Sequence, residues 1–444
     1  MERTAMEQLD AWKSSRNRKP LLIRGARQTG KTWLSEEFGR TRYSSVARID
    51  LMNNERARGF FEGDLDVRRI LRNISLETGV PVTPDTLVLL DEIQECPRAL
   101  TSLKYFCEDA REYHVIATGS YMGIARHRDS SYPVGKVDTI TLRPMDFLEY
   151  LRAIGQGMTA DAIRDGTEDG GIAQLDSVFR DRLCAWLKEY MVVGGMPAVV
   201  SDFAEHHDFA EARRLQREIL DDYDSDFSKH APLRMLERIR MVWASLPSQL
   251  AKENRKFIYG ALRSGARARD FEESIQWLRD YGAIAKVSAV KAIRTPLASY
   301  EDPSAFKLFA VDCGLLGALA RLNPAAILEG DALFTEFKGA FTEQYVCQQL
   351  IAQHLTPYYW ASSTGRAEVD FAVDHPDTVL PIEVKAQENL QAKSLRVAAN
   401  HFGLDRAVRT SLAGYRDEGW LLNLPLWAIG QLSNTDMRRS MTQD

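Results

Sequence analysis

Two short stretches carry residue types that could do chemistry together. The first is "GARQTGKT", Gly25 to Thr32. Its spacing, G-x-x-x-x-G-K-[ST], makes a loop tight enough for backbone N–H groups to wrap phosphate oxygens, because glycine permits turns that a side chain forbids. In that arrangement Gly25, Ala26, Arg27, Gln28, Thr29 and Gly30 cradle the phosphates. Lys31 reaches the β- and γ-phosphates, and Thr32 offers a hydroxyl to Mg²⁺. A helix opening at Lys31 turns its positive end toward the same anion. The second stretch is "LVLLDE", Leu87 to Glu92. Asp91 ends an apolar run, where a carboxylate can hold Mg²⁺, and Glu92 can orient and deprotonate an attacking water. The bland alternatives are a glycine-rich turn and a pair of solvated, helix-capping acids. The apolar run before the loop and the helical pattern after it favour the phosphate reading.

A third stretch lies far away. In "AEVDFAVDHPDTVLPIEVKAQ", Ala367 to Gln387, acids alternate along two apolar runs. Alternation sends Glu383 and Lys385 to one face and Val384 to the core. Asp370 precedes Glu383 by 13 residues (383 − 370), room for a hairpin through His375, Pro376 and Asp377. The pattern resembles the metal-dependent nucleases of the PD-(D/E)xK type, although Val369 stands where their motif has proline. That resemblance implies that Asp370, Glu383 and Glu343, on a preceding helix, hold a second Mg²⁺ or Mn²⁺. It gives Lys385 the task of orienting the nucleophile or steadying charge. Carboxylates crowded in this way should raise one another's proton affinities. The alternative is an ion-pair ladder on an edge strand.

The elements that must position these residues follow from periodicity. Residues 1–20 read as a helix, with Met6, Leu9 and Trp12 at helical spacing. Strands are predicted at Leu21–Ile23, Val46–Leu51, Thr86–Glu92, His114–Ser120 and Lys136–Leu142, alternating with helices. That alternation implies an α/β fold with a parallel sheet covered on both faces. After Pro144 the pattern turns helical up to about Arg279, broken by "VVGGMP", where paired glycines and a proline force a turn. Gly155–Gly171 and Thr295–Phe306 are linker candidates. Lys256–Val290 reads as helix, turn, helix and strand, an order compatible with a winged helix. Its Lys256, Arg263, Arg267 and Arg269, with Phe257 and Tyr259 interleaved, are a DNA-contact candidate or a solvated face. The last part mixes a helix at Glu343–Gln353 with strands at Pro357–Ala361, Val369–Asp374, Val379–Lys385 and near Leu421–Ile429.

Composition bounds what such a chain can be. At 444 residues it needs more than one core. With 45% hydrophobic and 27% charged residues it is globular, and a net charge of −5 gives no global attraction to nucleic acid, so any such surface is a local patch. Five scattered cysteines form no metal or disulfide framework and fit a reducing cytoplasm. No segment approaches the ~20 apolar residues of a membrane helix, and no signal peptide is visible.

"LLIRGARQTGKT", "VLLDEIQECP", "VIATGS" and "LRPMDFLEYL" together resemble the AAA+ (P-loop) ATPases, within them a prokaryotic family with a C-terminal domain of unknown function. "YMVVGGMPAVV", "LFTEFKGAFTEQYV" and "PIEVKAQENLQAKSL" resemble that family's C-terminal part. The resemblance implies an AAA+ ATPase domain at 1–150, a helical lid and winged-helix-like region at 151–295 and a PD-(D/E)xK nuclease-like domain at 296–444. It implies that Ser120 or Thr118 senses the γ-phosphate, and that Arg126 or Arg128 is the arginine finger. Gly135-Lys136 stands where the family often has Gly-Arg, which leaves the finger open. The expected function is ATP binding and hydrolysis with Mg²⁺, acting on or near DNA. Two alternatives stand beside it: a regulatory nucleotide switch that binds a protein partner and uses the nuclease fold as a scaffold, and an ATP-gated metal-dependent DNA nuclease. Nucleotide, DNA and further copies of the chain are the candidate partners.

Overall fold

Thr86–Asp91 is buried at every position because both of its faces are covered. Leu87 and Leu89 enter one core with Leu9, Trp12, Leu34 and Phe38. Val88 and Leu90 enter another with Ile70, Ile74, Leu103 and Phe106. This is the double burial that a central parallel strand requires, and each such side chain contributes roughly 1.5–3 kcal/mol. The strands of this sheet are β1 (Leu21–Gly25), β2 (Ser45–Asp50), β3 (Thr86–Asp91), β4 (His114–Ser120) and β5 (Asp138–Thr141). They run parallel in the order β2-β3-β4-β1-β5. Crossover helices at Lys31–Arg42, Val67–Thr78 and Pro97–Asp109 join them. The helix Val67–Thr78 shows how the sequence writes one. Asp66 caps its start by accepting from the Arg69 N–H, Val67, Ile70, Leu71 and Ile74 form its buried stripe, and Gly79 ends it in the left-handed region. Because the strands are parallel, the carboxyl ends of β1, β3 and β4 lie on one edge, which gathers Gly25, Asp91 and Ser120.

The computed structural model describes residues 2–120, 133–166, 171–252, 255–329, 335–362, 367–376, 378–387, 392–435 and 437. It divides into two compact units, residues 2–143 with 280–283, and residues 144–279 with 284–444. By backbone contacts the first unit ends at Arg143. The helix Phe147–Ala153 starts with a capping box between Asp146 and Glu149, and the Met145 N–H donates to the Gly195 carbonyl at 2.7 Å, which ties this segment into the second unit.

Two linker expectations are corrected. Gly157–Asp165 is a helix, held to the preceding one by an Arg152–Asp161 ion pair of 2.9 Å. Glu301–Ala310 is a strand, β7, and it tolerates Pro303 because it forms the edge of its sheet. The glycine pair of "VVGGMP" has a packing reason. A Cβ on Gly194 would lie 2.2 Å from Asp312 Oδ1, and one on Gly195 would lie 2.0 Å from the Met145 carbonyl.

The predicted winged helix is also not built as expected. Where its first helix should be, Gly260 and Gly265 leave only the turn Tyr259–Ala261 before the helix Ala268–Tyr281. Strand β6 (Ile284–Val290) then pairs antiparallel with β7. Ala289 of β6 pairs in turn with Tyr359 of β8 (Tyr358–Ala361), so the hairpin is the margin of a larger sheet. The expected boundary at 295/296 falls inside that hairpin. The sheet continues through β9 (Glu368–Asp374), β10 (Val379–Val384), β11 (Ala407–Ser411), β12 (Arg416–Asp417) and β13 (Leu421–Pro425), in the order β12-β13-β11-β10-β9-β8-β6-β7. The β9–β10 hairpin forms as its alternation predicts, closed by paired hydrogen bonds between His375 and Thr378.

Candidate functional site

The glycine loop runs from the end of β1 into the helix Lys31–Arg42. Gln28 and Gly30 take left-handed backbone angles, with φ of 63° and 87°, and make the turn. Gly25 is required by close approach: a Cβ there would lie 2.1 Å from the Leu142 carbonyl oxygen. The loop is braced from within by Thr29 Oγ1 donating to the Ala26 carbonyl at 2.9 Å, and from outside by Arg3 donating to the Thr29 carbonyl at 3.0 Å. Lys31 folds over the loop and donates to the carbonyls of Gly25 at 3.1 Å and Ala26 at 2.8 Å. Burial lowers its pKa to about 8, against the opposing pull of Glu92 and Asp91. Carbonyl partners do not neutralise an ammonium, so Lys31 is a buried cation suited to an anion.

The acids sit where the parallel register predicts. Asp91 Oδ1 accepts from the Thr32 hydroxyl at 3.0 Å and from the Thr118 hydroxyl. Asp91 Oδ2 pairs with Arg48 at 2.7 Å. Glu92 holds a left-handed φ of 52°, its N–H donates to Thr118 Oγ1 at 3.4 Å, and Gln94 donates to its carboxylate. Such backbone strain on a non-glycine residue is common where a side chain must be aimed. Thr118 thus joins both acids, while Ser120 pairs in register with Gly25 at the mouth of the loop. Arg126 and Arg128 lie outside the described residues. Thr32 and Asp91 would hold Mg²⁺, and the ion would neutralise phosphate charge there. Arg48 carried no sequence signal, yet it is the cation that holds Asp91 and, through a second ion pair of 2.7 Å, Glu36.

The C-terminal acids meet differently from expectation. Glu343, on the helix Thr335–Ala352, and Asp370 of β9 converge on Arg255. Two cations converge with them. Arg255 pairs with Glu343 and approaches Asp370 at 3.8 Å. Lys307 of β7, fully buried, lies 2.6 Å from Glu368 and 3.5 Å from Glu343. Glu383 is held by Lys385 at 2.7 Å. Among the described residues no three His, Cys, Asp or Glu side chains gather as metal ligands, so the expected metal set of Glu343, Asp370 and Glu383 is not assembled. Nor do the acids raise one another's proton affinity alike. Burial and the Glu343 charge push Asp370 well above the carboxylate range. Burial also opposes ionisation of Glu343, but Lys307 and Arg255 outweigh it and the net direction is down. Lys307 did carry a signal, a lone lysine inside the apolar run "AFKLFA". Arg255 carried none.

Of the basic segment, Lys256, Arg263, Arg267 and Arg269 are exposed. The interleaved aromatics do not join them. Phe257 is buried and stacks on Phe306 with ring centroids 5.4 Å apart, and Tyr259 packs against the same ring at 6.2 Å.

Three family models match successive parts of the chain. Residues 17–151 match a family model described as an AAA domain, residues 184–326 a domain of unknown function (DUF8612), and residues 338–427 a second one (DUF4143). Among solved structures, the chain resembles an Aeropyrum pernix ORC1 protein in complex with DNA, at 15% identity and a TM-score of 0.27, over 71% of this chain and 90% of that one. It resembles Drosophila ORC bound to DNA at 14% identity and a TM-score of 0.24, over 72% and 95%. It resembles C. elegans PCH-2 at 17% identity and a TM-score of 0.22, over 36% and 47%. No curated protein sequence matches it. The chain therefore carries an AAA domain followed by two stretches that match domains of unknown function.

Proposed function

We propose that this chain binds ATP with Mg²⁺ on the loop Gly25–Thr32 and hydrolyses it, with Glu92 taking the proton of the attacking water. One observation carries this reading: Thr32, Asp91, Thr118 and Glu92 form a single hydrogen-bonded network beside the buried Lys31. Phosphate oxygens would replace the loop carbonyls as partners of Lys31. Thr118, through its bonds to Asp91 and Glu92, is better supported as the γ-phosphate sensor than Ser120. Arg126 and Arg128 remain the finger candidates of this proposal.

Action on or near DNA rests on the exposed Lys256, Arg263, Arg267 and Arg269, whose charges would meet phosphates. Assembly with further copies of the chain belongs to the same proposal. A second reading, the nucleotide switch with a scaffold-only C-terminal domain, is favoured by the ion pairs that already occupy Glu343 and Asp370. Those same pairs weigh against the nuclease reading. The deciding experiment is ATP hydrolysis with and without single-stranded, duplex and branched DNA. Hydrolysis stimulated by DNA supports action on DNA. Slow hydrolysis indifferent to every DNA supports the switch. Absence of nucleotide binding would remove the ATPase reading altogether.

A further inference from the structure

The buried acids of the C-terminal domain already have their cation. Glu343, Asp370 and Glu368 are three carboxylates, and Arg255 and Lys307 are two cations set among them. Three of the six oxygens have close partners: Asp370 Oδ2 accepts from the Val384 N–H at 2.8 Å, Glu368 Oε1 lies against Lys307, and Glu343 Oε1 lies against Arg255, while Glu343 Oε2 makes no hydrogen bond and lies 3.5 Å from Lys307. A divalent ion placed here would stand beside a guanidinium and an ammonium, whose like charge repels it. The residues present do not fit a metal.

The place of Arg255 is prepared by its surroundings. A Cβ on Gly339 would lie 2.8 Å from Arg255 Nη2, so Gly339 leaves the space that the guanidinium fills. Gly339 precedes Glu343 by four residues on the same helix, so the space and the carboxylate share one face. Arg255 itself adopts a left-handed backbone angle, φ 49°, unusual for a residue with a side chain. Next to it, the Phe257 N–H donates to the Phe306 carbonyl at 2.8 Å, and the Ile258 N–H donates to Gln249 Oε1 at 3.1 Å. The chain is thereby laid down at the start of the exposed basic segment.

We propose that Arg255 is the resident cation of the Glu343–Asp370 centre, that the centre takes no divalent metal, and that this ion pair fastens the basic segment 256–269 onto the C-terminal domain. The proposal deepens the scaffold reading and is independent of the ATPase reading, which a parallel hydrolysis assay follows separately. The test uses the full chain without nucleotide, titrated with Mn²⁺ by calorimetry and electron paramagnetic resonance, alongside Asp370→Asn. The expected result is no Asp370-dependent Mn²⁺ binding and a thermal midpoint indifferent to Mn²⁺ or a chelator. Mn²⁺ binding in the wild type that disappears in a folded Asp370→Asn variant overturns the proposal. Arg255→Gln should lower the midpoint by about 5 °C or more, because it removes the closer of the two cations that hold the buried Glu343 and leaves it only Lys307 at 3.5 Å. Arg255→Gln with Glu343→Gln should recover part of that loss, and Arg255→Lys should lose less than Arg255→Gln. An Arg255→Gln midpoint equal to wild type also overturns the proposal. If Arg255→Gln alone does not fold, recovery of folding in the double variant supports it, and failure of Arg255→Lys and the double variant alike contradicts it.

Discussion

Lys31 shows how one residue can hold a testable prediction. Its pKa in the folded, unliganded protein is about 8, below the ordinary lysine value of 10.5, because burial disfavours the charge. Between those two values the folded chain binds fewer protons than the unfolded one, so this group's contribution to stability grows as pH rises through that window. Nucleotide binding has the opposite sign. Below pH 8 the ammonium is already formed, whereas above it each binding event must take up a proton. Affinity for ATP should therefore be level from pH 6.5 to 7.5 and fall by up to about tenfold per pH unit above 8. Fluorescent-nucleotide titrations at pH 7 and 9 check this, and equal affinities would contradict it. Lys31→Ala should abolish binding at either pH. Glu92→Gln should bind as wild type and lose roughly 10²–10⁴ in turnover, the usual share of a general base. These residues were legible in the sequence because their chemistry is local: the loop is contiguous and Asp91 and Glu92 close one strand. Arg255 was not legible, since it reaches Glu343 across 88 residues and no local pattern links them.

At the scale of elements, close approach decides what can change. The strand β1 passes so near the Leu142 carbonyl that Gly25→Ala should destabilise the first unit by about 1–3 kcal/mol, the usual cost of overpacking, and weaken nucleotide binding as the loop shifts. Urea unfolding and a nucleotide titration would show both, and a fully stable variant would mean the backbone yields freely. In the second unit, Asp312 accepts from the N–H groups of Gly195 at 2.6 Å and Leu315 at 2.9 Å and from Gln348 at 3.1 Å, all buried. Asp312→Ala strands these donors and should cost at least about 2 kcal/mol in the same unfolding measurement. The parallel sheet was readable because doubly buried strands announce themselves by unbroken apolar runs. The edge strand β7 was not, because Pro303 and its polar start resemble a linker, and only its place at the margin of the sheet makes them acceptable. The glycines of the predicted winged helix were visible, but their power to stop a helix was outweighed in the reading by the helical spacing around them.

The whole molecule joins an AAA domain to a larger unit in which Arg255 and Lys307 pair with Glu343, Asp370 and Glu368. If the two sites are chemically separate, Asp370→Asn should leave ATP affinity and turnover within about twofold of wild type, while Lys31→Ala removes both. A large loss of ATP turnover in Asp370→Asn would show that the C-terminal centre takes part in hydrolysis. The domain order was legible as a succession of patterns, parallel α/β, helical and mixed. The central claim is that Gly25–Thr32, Asp91 and Glu92 together make an ATP-hydrolysing site. The most direct measurement is single-turnover hydrolysis of radiolabelled ATP with Mg²⁺, comparing wild type with Glu92→Gln at saturating protein. Both proteins should bind ATP, and only the wild type should convert it to ADP and phosphate on the timescale of the assay. Equal conversion by the two proteins, or no nucleotide bound by the wild type, would contradict it.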